Sequence, residues 1–110
     1  MRLQVKGKNV EITPSLHTYI ETKLGKLEKQ LADQTQVELE LSEEKNPSIS
    51  ENHVAEATIF AKGTTLRARE VSREIRASID LLVDNLERQI KRYREKRIEE
   101  PRRRVARHEE

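Results

Sequence analysis

The 110-residue chain has no cysteine and no tryptophan, three glycines, three prolines and only three aromatic residues, Tyr19, Phe60 and Tyr93. The missing cysteines exclude disulfides, thiol catalysis and thiolate zinc sites. With so few aromatics, a core must be built from Leu, Ile, Val and Ala, and no large aromatic pocket for a planar cofactor can form. Glycines stand only at 7, 25 and 63, so no glycine-rich loop exists to cradle a phosphate. No run approaches the ~20 apolar residues of a membrane span, and the N-terminal residues lack the apolar stretch of a signal peptide. A soluble, cytoplasmic protein is expected, or a stromal one if the source is a plastid.

What is abundant is charge. Asp, Glu, Lys and Arg make up 38% of the chain, yet the formal net charge is only +2. The distribution therefore says more than the total. Residues 32–60 carry seven acids against the single base Lys45, whereas residues 85–110 carry ten Lys or Arg against six acids. An acidic middle and a basic C-terminal end suit a protein that lays one face on a polyanion.

Hydrophobic periodicity sets out six elements. Leu3 and Val5 alternate with polar residues in a short strand, 2–6, after which Gly7 and Asn9 loosen the chain. Thr13-Pro14-Ser15 reads as a helix start, with Thr13 as N-cap and proline at the first helical position. Leu16, Ile20, Leu24, Leu27 and Leu31 follow at helical spacing and form one buried stripe. Gly25 interrupts that helix and reads as a mark of close packing against a neighbour. From Gln36 to Ser42 the period switches to two, with Val37, Leu39 and Leu41 facing inward. A polar loop, 43–52, leads to a strand over Val54–Ala61. Lys62-Gly63 makes a tight turn, and Thr64–Arg69 returns as a fourth strand. The alanines at 55, 57 and 61 predict a helix lying close against this hairpin. Ser72 is the predicted N-cap of a second helix carrying Ile75, Ile79, Leu82, Leu86, Ile90 and Tyr93, which Pro101 should stop. The order β-α-β-β-β-α predicts an α+β fold: a four-stranded sheet with two helices packed on one face and the other face wet. Residues 1–97 form the domain, and 98–110 read as a charged, disordered tail or the start of a linker.

The chemistry-bearing residues are cations. Lys23, Lys26 and Lys29 recur every three residues along one flank of the first helix, and Glu21 and Glu28 lie on the opposite flank. The second helix is acidic early (Asp80, Asp84, Glu87) and basic late (Arg88, Lys91, Arg92, Arg94, Lys96, Arg97). A solvated helix surface accounts for part of this. Bases near a helix C-terminus favour the macrodipole, and Asp84–Arg88 and Glu87–Lys91 are well-oriented pairs four residues apart. Those terms amount to a few tenths of a kcal/mol each, and six bases within residues 88–97 exceed what helix stability needs. Two basic helical surfaces on one side of a sheet suit a phosphate backbone. With no stacking aromatics in the strands, folded RNA read by shape fits better than single-stranded bases. Composition alone leaves a second reading open, that of a protein-interaction regulator working through the acidic region and an exposed sheet edge. His17, His53 and His108 have no metal-ligand spacing and read as surface residues. No catalytic constellation, metal site or cofactor site emerges, so an enzyme is not expected.

Three stretches together carry a resemblance: the opening MRLQVKGKNVEITPSLHTYIETKLGKLEK, the hairpin NPSISENHVAEATIFAKGTTLRAR, and ASIDLLVDNLERQIKRYREK in the second helix. Over residues 1–97 the chain resembles the ribosome hibernation promoting factor family, which takes in inhibitors of the YfiA type. The pattern is nearest that of the long-type light-repressed proteins of cyanobacteria. The resemblance implies a fold similar to double-stranded-RNA-binding domains, seated on 16S rRNA in the cleft of the small ribosomal subunit, beside neighbouring ribosomal proteins. There it would overlap the mRNA and tRNA sites and hold ribosomes idle, with no membrane involvement. Carried over by position, the rRNA-binding residues are Lys23, Lys26 and Lys29 with Arg88, Lys91, Arg92 and Lys96. Where the family commonly has an acidic-Met-Tyr run before Ala-Ser-Ile-Asp, this chain has Glu74-Ile75-Arg76, and Arg76 is expected to reach a phosphate in place of the tyrosine. Long members also carry a C-terminal domain that pairs ribosomes. Pairing is expected only if such a domain follows, and a truncated long form is the favoured reading of where this chain stops.

Overall fold

In a computed structural model, which describes residues 1–46 and 50–109 and side chains as far as Glu95, the elements follow the expected order. They are β1 (Arg2–Lys8), α1 (Pro14–Glu28), β2 (Gln36–Glu43), β3 (His53–Ala61), β4 (Thr64–Ser72) and α2 (Ile75–Glu109). The strands lie side by side in sequence order. β1 pairs parallel to β2, through the α1 crossover, and the remaining neighbours are antiparallel. Parallel pairing needs such a crossover, and a helix of this length supplies it.

Register decides what faces where. Leu3, Val37, Ile59 and Leu66 share one row, and Val5, Leu39, Ala57 and Ala68 the next. These rows join Leu16, Ile20, Leu24 and Leu27 of α1 and Ile79, Leu82, Val83, Leu86 and Ile90 of α2 in one apolar core. Both helices therefore cover the same face. Ala57 and Ala68 are adjacent and buried beneath α2, which seats the helix close to the hairpin as the small side chains predict. The opposite face is wet. Its rows hold Gln4, Glu38, Thr58 and Arg67, then Lys6, Glu40, Glu56 and Arg69.

Local chemistry fixes the joints. Thr13 Oγ1 accepts from the Leu16 N–H at 3.1 Å, with proline at the helix start, as expected for this cap. α1 ends a turn before Leu31, in tighter i→i−3 turns (Gln30 N–H to Leu27 O, 3.0 Å), and Leu31 still packs on the core. At the hairpin tip Gly63 has φ +81, a conformation that favours glycine. Gly7 serves a different need: a Cβ there would sit 2.3 Å from the Val10 carbonyl oxygen.

Three expectations need correction. Gly25 does not mark close packing, because a Cβ there would meet nothing within 4 Å. Ser72 is the last residue of β4; its Oγ accepts from the Glu74 N–H at 3.1 Å, and α2 opens three residues later. Pro101 does not stop α2, which continues to Glu109. A proline removes one ladder bond and crowds one carbonyl at about 3 kcal/mol, while the turns on either side keep their own bonds.

Candidate nucleic-acid interface

The two helices run parallel. Ser15 of α1 meets Arg76 of α2, and one turn further along Tyr19 meets Asp80. With their apolar stripes turned to the sheet, the remaining helical positions form a single outer layer of the molecule. The core rows thus place both basic surfaces on the same side.

Within that layer the expected residues are distributed unevenly. A helix advances about 100° per residue, so lysines three apart step back about 60° each time. Lys23 lies beside α2 and is half-buried, Lys26 is exposed further round, and Lys29 is exposed at the C-cap of α1. The ridge is a spiral rather than a straight line. On α2, Arg76 faces α1, and by the same rotation Lys91 shares the flank of Asp80. Arg88 points outward, and Arg92 lies toward the flank whose Asn85 and Gln89 reach β4. All of these cations except Lys23 are exposed. Lys96 lies outside the residues whose side chains are described.

The pairs Asp84–Arg88 and Glu87–Lys91, expected from their spacing, do not close within 4.0 Å among the described residues. Exposed helical pairs contribute a few tenths of a kcal/mol, too little to hold two long side chains in one geometry. Lys26, Lys29, Arg88, Lys91 and Arg92 likewise enter no ion pair among the described residues. Their charge is unspent within the fold.

One cluster was invisible in the sequence. Tyr19 donates its hydroxyl to Asp80 Oδ1 at 2.5 Å. The Arg76 guanidinium lies 4.8 Å from the centre of the Tyr19 ring and the Lys23 ammonium 5.4 Å from it, within cation–π range. Lys23 is also 3.5 Å from Asp80, and Arg76 donates to Ser15 Oγ at 2.9 Å. The hydrogen bond to Asp80 holds the Tyr19 phenol above its ordinary pKa of 10.0; burial and the Asp80 charge act in the same direction, and Arg76 opposes them. A shallow depression lined by Ser15, Thr18, Tyr19, Thr22, Lys23 and Arg76 opens over this cluster. Lys23 and Arg76, separated by 53 positions in the chain, are thereby joined on one ring. Tyr19 stands one helical turn before Lys23, but only the α1–α2 contact reveals what it holds.

The opposite face offers less. Arg69 pairs with both Glu44 and Glu56 at 3.4 Å, which pins part of the acidic region. The sheet has two free edges, β1 and β4; on β1, Arg2, Lys6 and Lys8 crowd seven residues with charge, a pattern that discourages strand addition. His53 departs from the surface position expected of it. It is half-buried, its Nδ1 has no hydrogen-bond partner, and its carbonyl accepts from Ser78 Oγ at 2.6 Å. His17 is a surface residue, 2.7 Å from Glu21, and His108 lies outside the described side chains. Among the described residues no cluster of three or more His, Asp or Glu could hold a metal ion.

Comparison with known proteins agrees with this architecture. Residues 3–98 match the family model described as sigma 54 modulation protein / S30EA ribosomal protein. A ribosome hibernation promotion factor of Picosynechococcus is 42% identical over 97 residues, covering 87% of this chain and 50% of that protein. The ribosome hibernation promoting factor of Salmonella typhimurium is 35% identical, over 87% of this chain and 96% of its own length. The crystal structure of the Thermus thermophilus Protein Y N-terminal domain superposes with a TM-score of 0.73 at 30% identity, covering 84% of this chain and 99% of that one. A ribosomal subunit interface protein from Coxiella burnetii shares the fold at TM-score 0.72 and 24% identity, covering 86% of this chain and 98% of that one. The chain spans about half the length of the Picosynechococcus relative and of its counterpart from Lactococcus lactis. From the match over residues 3–98 and from these identities, the chain belongs to the sigma 54 modulation protein / S30EA ribosomal protein family, which holds the ribosome hibernation promoting factors.

Proposed function

We propose that this chain is a ribosome hibernation factor that binds 16S rRNA in the mRNA and tRNA channel of the small ribosomal subunit and stabilises inactive ribosomes, without catalysis. The observation that carries the reading is the outer surface of the two-helix layer. It presents Lys26, Lys29, Arg88, Lys91 and Arg92 with no ion pair among the described residues to neutralise them. Lys23 and Arg76 add a fixed pair of cations on the same layer, and Lys96 extends the α2 row in sequence. Such a surface gains affinity by releasing counterions from a phosphate backbone. Folded RNA of the ribosome, with neighbouring ribosomal proteins, is the partner class that the family relationship supports.

In this reading residues 1–97 make the ribosome-binding unit, similar in layout to double-stranded-RNA-binding domains, and the charged residues 98–110 lie outside it. Pairing of ribosomes requires a further domain. The site of action is the cytoplasm or a plastid stroma, wherever the ribosomes are; no helix among the described residues is long and apolar enough to cross a membrane. Co-sedimentation with purified small subunits, at low and at high salt, tests the proposal. Binding that weakens steeply as salt rises is expected, and absence of the protein from the pellet even at low salt rejects it.

A further inference from the structure

We propose that Tyr19 is a positioning residue, which holds Lys23 and Arg76 as a preformed seat for one phosphodiester group of folded RNA. The inference rests on the ribosome-binding reading above and adds a residue and a geometry that charge counting did not supply.

The geometry points to a seat rather than to two independent surface cations. Both charges lie within 5.4 Å of one ring centre, although they come from different helices. Arg76 is held twice, by its cation–π contact with the ring and by donation to Ser15. A guanidinium has five N–H donors in a rigid fork, so one bond to Ser15 leaves an edge able to grip two phosphate oxygens. Lys23 is held by the ring and by Asp80. The Tyr19 hydroxyl donates to Asp80 Oδ1, the same oxygen that the Lys23 ammonium approaches at 3.5 Å, so ring, acid and lysine hold one another in place. Two cations against one carboxylate leave one net positive charge, the complement of a single phosphodiester. Ser15, Thr18 and Thr22 line the same depression and bring hydroxyl groups to its wall. Long cationic side chains normally lose rotamer freedom on binding; here much of that ordering precedes the ligand.

The test is equilibrium binding of the full chain to purified small ribosomal subunits across a salt series. It compares wild type, Tyr19→Leu, Tyr19→Phe, the double variant Lys23→Gln/Arg76→Gln, and the triple variant joining Tyr19→Leu to that pair. Tyr19→Leu should weaken binding roughly 5- to 150-fold, the loss expected when two ordered side chains become free, with the salt slope nearly unchanged. Tyr19→Phe keeps the ring and drops only the hydroxyl, so its loss should be smaller, and it guards against a folding defect in the leucine variant. The double variant should lower the slope by about one to two, and the triple variant should bind no more weakly than the double. The inference is overturned if both Tyr19 variants bind like wild type. It is overturned equally if Tyr19→Leu costs as much affinity after the cations are gone, because the tyrosine then acts only through the fold. Failure of the wild type to bind at any salt removes the ribosome reading itself and this seat with it.

Discussion

Replacing Arg88, Lys91 and Arg92 together by glutamine separates the two explanations for the basic stretch of α2. If those bases serve the helix, removing them should cost stability; if they serve a polyanion, it should cost affinity and little else. All three are exposed, and none makes an ion pair among the described residues. Surface changes of this kind usually stay within about 0.5 kcal/mol each, and no dipole term is lost, because α2 runs on to Glu109 and these positions lie far from its last turn. Each phosphate contact, in contrast, releases about 0.9 of a counterion, which at ~0.15 M salt is worth about 1 kcal/mol. Three contacts then amount to about 3 kcal/mol, or roughly two decades in Kd. Urea unfolding should show the triple variant within about 1.5 kcal/mol of wild type. Binding to small subunits should weaken roughly 100-fold at ~0.15 M salt, with the log–log salt slope reduced by about two to three. A variant that unfolds readily yet binds undiminished would show the opposite, that these charges are structural.

Three further outcomes test the structural account. Gly25→Ala, at a helical position with open space where the Cβ would go, should stabilise the protein by about 0.5–1 kcal/mol, seen as a higher Tm; a lower Tm would mean that a neighbour does pack there. Gly7→Ala should destabilise by about 1–3 kcal/mol, because its Cβ would lie 2.3 Å from the Val10 carbonyl oxygen, and denaturant melts at neutral pH would show it. In a Tyr93→Phe background, ultraviolet titration should find the Tyr19 phenol ionising above 10.0, and Asp80→Asn should bring it down. Because the folded-state value is raised, the stability this proton contributes is complete below pH 10.0 and lost as pH rises through the higher value.

Local pattern along the chain is enough to set the elements and the inward faces. The stripe Leu16–Ile20–Leu24–Leu27 and the alternation Val37–Leu39–Leu41 are local periodicities, and burial follows directly from them. Thr13-Pro14 and Lys62-Gly63 fixed their joints for the same reason: a cap and a left-handed turn depend on a few adjacent residues. Glycine at 25 faces open space, and the one-letter pattern carries no information on what lies across a helix. Pro101 does not mark the end of α2, because a proline removes one bond from a ladder whose persistence depends on all the others. Charge pairing failed for a related reason. Spacing shows which acids and bases can meet, but whether Asp84 and Arg88 do so turns on a balance of tenths of a kcal/mol. Which cations act together depends instead on how the two helices pack. Lys23 and Arg76 meet on Tyr19 because two helices, kept parallel by a shared sheet, bring distant turns into contact, and no local pattern encodes that distance.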